Sequence, residues 1–154
     1  MNPINEHIDV DAYPSLIWKD SSWLSLVFKD DCGDGLRPRH INENILNVLI
    51  HVVSELGEET VWFSDFNLDE HRSDLALEDL DDVQQVASSI YVYGSHGWAM
   101  CGTGDGWCAV GGCGSVMKPF IAKLGGFTNV KRSCPDIDML PDHRIFLENN
   151  FKNA

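Results

Sequence analysis

Basic side chains are scarce in this 154-residue sequence: 11 lysines and arginines stand against 24 aspartates and glutamates, for a net charge of −13. A surface so short of cations cannot neutralise a phosphate backbone or an anionic lipid layer. Direct binding to DNA, RNA or an acidic membrane is therefore excluded as a principal activity. Long apolar runs are also missing. The best stretch, residues 45–53, is interrupted by Asn47 and His51 and falls well short of the roughly 18 residues a membrane helix requires. Residues 1–13 carry Glu6, Asp9 and Asp11 with no basic stretch and no apolar segment, so no secretory signal is expected. The 5 cysteines are an odd number. Without an export signal they point to reduced thiols and a cytoplasmic setting, not to a disulfide framework.

What is present suffices for a core. The apolar fraction of 44% is too high for a disordered acidic chain. A chain of this length buries roughly 68–70% of its unfolded surface as one domain. No repeat and no linker divides it, so a single domain over 1–154 is expected, with residues 1–20 an irregular lead-in punctuated by Pro3 and Pro14.

Residues 23–29 carry apolar side chains on both alternating faces, which predicts a covered strand. The clearest helix is predicted over about 42–56. Ile41, Ile45, Leu46, Val48, Leu49, Val52, Val53 and Leu56 make a wide apolar face, and Gly57 is placed to end it. Residues 60–64 read as a short strand rich in β-formers. The spacing of Leu80, Val83, Val86, Ala87 and Ile90 predicts a second helix passing into a strand at 90–93. Residues 98–101 and 107–110 read as strands joined by a glycine-rich hairpin loop. Ser115 is the expected N-cap of a helix running to Leu124, with Pro119 in its first turns and Gly125-Gly126 ending it. Residues 128–132 read as a strand, and 142–150 as a closing helix. The interspersed elements and the tight hairpin predict an α+β fold: an antiparallel sheet packed against one long apolar helix and shorter helices.

Several chemical motifs fail on spacing. Gly104 to Ala109 matches a dinucleotide-binding pattern formally, but that pattern needs a helix N-terminus directly afterwards, and Val110-Gly111-Gly112 does not start one. Glycines that let strands and indole rings approach closely explain the stretch better. His96, Cys101, Cys108 and Cys113 lack the CxxC-like pair of a structural zinc site. Nothing around Cys101 or Cys108 marks a nucleophile with a base and an orienting partner. Residues 30–41 place Asp34 and Gly35 as a calcium loop would, but position 3 is Cys32 and position 12 is Ile41, so the chelating glutamate is absent. No cofactor, metal or catalytic residue is assigned.

The acidic tract is the most informative feature. From Glu55 to Asp82 eleven carboxylates accompany one cation, Arg72, giving a local net charge of −10. Residues 116–132, by contrast, hold Lys118, Lys123, Lys131 and Arg132 and no acid. A solvated face serving solubility accounts for such a tract. A docking surface for a basic partner accounts for it too, since a cationic surface relieves the self-repulsion and speeds association. The candidate partner-binding residues are Asp65, Asp69, Glu70, Asp74, Glu78, Asp79, Asp81 and Asp82, with Trp62, Phe63, Phe66 and Leu68 as apolar anchors among them.

In size, acidity and lack of a catalytic motif, the chain resembles the immunity proteins that neutralise bacterial toxins. The resemblance implies a cytoplasmic inhibitor, not an enzyme, that covers the active site of a basic toxin such as a nuclease with carboxylates. Two alternatives remain: a small metal- or thiol-dependent enzyme built on the Gly/Cys/Trp hairpin, and an acidic regulator that mimics nucleic acid.

Overall fold

A computed structural model describes residues 8–9, 17–18, 23–29, 43–65, 70–84, 90–102 and 107–126 of the chain. Two short strands, β1 (Ile8–Asp9) and β2 (Ile17–Trp18), pair with each other within the first 20 residues. The main sheet uses β3 (Leu24–Lys29), β4 (Thr60–Asp65), β5 (Glu70–Ala76), β6 (Ile90–Tyr93), β7 (Trp98–Gly102) and β8 (Trp107–Gly112). Its order is β3-β8-β7-β6-β4-β5, and every pairing is antiparallel. The helices are α1 (Glu43–Glu55), α2 (Leu80–Gln84) and α3 (Gly114–Lys123), with one 3-10 turn at Leu77–Asp79. The fold is α+β.

Alternation places the core. Leu26, Val61, Phe63, Ile90, Val92, Trp98, Met100 and Val110 are buried strand residues in one apolar cluster. The same cluster contains Ile45, Leu46, Leu49, Val52 and Val53 of α1 and Val116, Met117 and Phe120 of α3. Period-two positions from five strands thus meet period-3.6 positions from two helices. α1 is amphipathic, with Asn47, His51, Ser54 and Glu55 exposed opposite its buried face. At its end the Gly57 amide donates to Ser54 O at 3.0 Å and the Glu58 amide to Val53 O at 3.0 Å. These are the paired bonds of a Schellman cap. Gly57 carries φ +99°, which an L side chain adopts only with strain.

The hairpin β7–β8 pairs Trp98 with Gly112 and Gly102 with Cys108. Cys101 therefore lies opposite Ala109, not opposite Cys108 as a facing pair would require. Residues 107–112 continue as strand through both glycines, so no helix follows the glycine loop. The third helix begins earlier than its sequence signal: Cys113, not Ser115, holds the N-cap position, without a side-chain cap bond. The Cys113 amide instead donates to Gly97 O at 2.8 Å, which fixes the helix start against the β6–β7 turn. Pro119 sits inside the helix. The helix predicted from Leu80 is described only to Gln84, and Val86 and Ala87 lie outside the described residues. So do the turn at 30–35, the strand at 128–132 and the helix at 142–150.

One strand carries no strand signature in its sequence. Residues 70–76 look like part of a solvated acidic stretch, yet they form β5 at the end of the sheet. Strand formation here follows from context: Leu75 packs opposite Val61, while 71–74 stay exposed. Charged residues on an outer strand also discourage pairing with other chains.

Candidate functional site

Two loops meet over one carboxylate. The cap of α1 delivers Glu58 directly beneath the β6–β7 turn, where its side chain is buried; the residue is 4% exposed. Oε1 accepts the Ser95 backbone amide at 2.7 Å and the Trp98 indole Nε1–H at 2.9 Å. Oε2 accepts the Ser95 hydroxyl at 2.6 Å and faces His96 Nδ1 at 2.9 Å. An ionised carboxylate only accepts, so Nδ1 carries the proton in that contact. Four donors thus converge on two oxygens. Burial pushes the Glu58 carboxyl up, but the bonds from Ser95, His96 and Trp98 and the charge of His96 outweigh it, leaving the group below its ordinary range.

This geometry is a clamp, not a nucleophile–base relay. Ser95 Oγ lies 3.3 Å from His96 Nδ1, the same ring nitrogen that faces Glu58. A relay needs serine and carboxylate on opposite nitrogens of the ring. The clamp also needs glycine at position 94, because a β-carbon there would coincide with Glu58 Oε1 and the Trp98 indole nitrogen.

Beside the clamp lies an open cleft of about 470 Å³, a size typical of ligand pockets. Its walls include Glu58, Glu59, Trp62, Ser73, Tyr93 and Ser95. Trp62 and Tyr93 pair across β4 and β6, and their rings stack with centroids 6.0 Å apart and planes within 6°. Ser73 reaches the cleft through a bulge. Between the pairs Val61–Leu75 and Phe63–Arg72, β5 uses Ser73 and Asp74 where β4 uses only Trp62.

The acidic tract continues from that bulge through the end of β5, the 3-10 turn and α2. Asp74, Glu78, Asp79 and Asp82 are exposed, and Asp81 is half-buried. β5 ends the strand order, so one of its sides has no strand partner among the described residues. Glu70 opens β5 opposite Asp65. Asp65 itself leaves the predicted surface: it is 1% exposed, closing β4 between β5 and β6. Phe63 is also removed as an anchor, since it belongs to the core. Asp69, Phe66 and Leu68 lie outside the described residues. Glu58, counted in sequence as one more member of the tract, is instead the centre of the clamp. His96 was visible only as a failed zinc ligand. The nearest sequence signal for either role is the spacing of Gly57-Glu58 after a helix and Gly94 to Trp98 around a turn.

Comparison of the chain with protein-family models, curated proteins and solved structures yields no match. Function must be read from the geometry. Among the described residues, no helix is long and apolar enough to cross a membrane.

Proposed function

We propose that the chain is an immunity- or inhibitor-type binding protein that neutralises a basic protein partner, a nuclease-like toxin being the kind of partner its charge fits. The observation that carries this reading is the segment 74–82, which runs from the outermost strand through the 3-10 turn into α2. Asp74, Glu78, Asp79 and Asp82 are exposed there, none has a salt bridge among the described residues, and the segment contains no lysine or arginine. Unneutralised carboxylates clustered on one segment give a standing negative field, which accelerates encounter with a cationic surface.

The test is capture from the native host with tagged wild type and with a variant carrying Asp74→Asn, Glu78→Gln, Asp79→Asn and Asp82→Asn. The reading expects a protein of net positive charge that wild type retains and the variant loses, and whose toxicity co-expression of wild type relieves. If no captured protein depends on those four carboxylates, the reading falls.

A further inference from the structure

The cleft beside the clamp has the chemistry of a receptor for one kind of side chain. Among the described residues, its charged lining residues are Glu58 and Glu59, and no lysine, arginine or histidine lines it. Glu58 is already engaged by four donors, one of them His96, so the carboxylate the cleft leaves open to a ligand is that of Glu59. Glu59 is exposed and has no salt bridge among the described residues. The parallel rings of Trp62 and Tyr93 form an aromatic wall, and both residues are half-buried. Thr60, Ser73 and Ser95 add hydroxyl acceptors.

Carboxylates, hydroxyls and planar rings together suit a guanidinium better than an ammonium. The guanidinium is planar, weakly hydrated, stacks on aromatic faces and spreads five donors over several acceptors, whereas lysine brings a compact, strongly hydrated point charge. Tryptophan and tyrosine at such a position also match the anchor pockets that dominate protein interfaces. From this we infer that the cleft receives an arginine side chain of the basic partner, with the acidic edge steering the partner in and the cleft fixing its register. The inference rests on the docking reading above and adds a specific contact to it.

The experiment is an NMR titration of the full chain with three probes: N-acetylarginine amide, its neutral isostere N-acetylcitrulline amide, and methyl glucoside. One side chain alone binds weakly, with a Kd on the order of millimolar. Arginine amide is expected to shift the Trp62 indole signal and the amides of Glu59, Ser73 and Ser95, with citrulline amide and the sugar far less effective. Glu59→Gln, an exposed change that leaves the clamp intact, should weaken arginine amide by up to about fivefold, and Trp62→Leu should abolish the response. No shift at these positions, equal shifts from citrulline amide, or a response to the sugar but not to arginine amide would overturn the inference. The edge variant separates the two ideas. If the cleft still takes arginine amide while partner association ignores the edge charges, only the docking reading fails. If the edge governs association and the cleft takes no arginine amide, only the cleft assignment fails.

Discussion

The Trp98 indole donates to Glu58 Oε1 across 2.9 Å, tying two residues 40 positions apart into one buried contact. This bond anchors the turn between β6 and β7 to the end of α1, and the clamp's stability depends on the carboxylate being charged. The folded-state pKa of Glu58 lies below its ordinary value, so the contribution is complete above that value and is lost as pH falls through the lowered one. Glu58→Gln should cost about 2–4 kcal/mol at neutral pH by leaving buried donors unmatched. Denaturant melts of both proteins on the acid side should show a difference that narrows as pH falls below the ordinary carboxylate value of about 4. A gap that does not vary with pH would mean the charge contributes nothing.

Gly94 gives a steric test of the same contact. Gly94→Ala forces a β-carbon into the space of Glu58 and Trp98, and should destabilise the fold by roughly 2–4 kcal/mol through overpacking and broken bonds. Gly114→Ala is the control. There, among the described residues, the added carbon meets Lys118 Cε alone, at 3.7 Å, in a helix, and the change should stabilise by up to about 1 kcal/mol. Chemical denaturation of the two variants should move in opposite directions.

The helix over 43–55 is tested by Leu49, which is fully buried in the shared core. Leu49→Ala should cost about 2–5 kcal/mol, the sum of lost transfer energy and a cavity between helix and sheet. A loss under about 1 kcal/mol would place this face outside the core.

The core elements were legible because periodicity reports burial. The 45–53 pattern marked α1, the β-formers at 60–64 marked β4, and Trp98 and Trp107 framed the hairpin. β5 was not legible: Glu70, His71, Arg72, Ser73 and Asp74 carry no alternating apolar face, and pairing with β4 holds them extended. The site was read by its charge alone. Counting carboxylates includes the exposed Asp74, Glu78, Asp79 and Asp82, but counting cannot tell Asp65 and Glu58, both buried, from their exposed neighbours. That distinction arises from contacts across the chain. Glu58 is set apart by donors at 95, 96 and 98, which no local pattern reveals.

The edge charges themselves should be dispensable for folding. Neutralising Asp74, Glu78, Asp79 and Asp82 should leave the melting temperature unchanged or slightly raised, because like-charge repulsion is relieved. An unfolded variant would show that these carboxylates are structural.

The central claim is tested most directly by association kinetics of the captured basic partner with wild type and with the four-site edge variant, across salt concentrations. The account predicts that wild type associates faster at low salt, that added salt slows it while dissociation changes little, and that the variant associates more slowly with a flatter salt dependence. Equal association rates and equal salt dependence for the two proteins would contradict it and leave the acidic edge as a solvated surface.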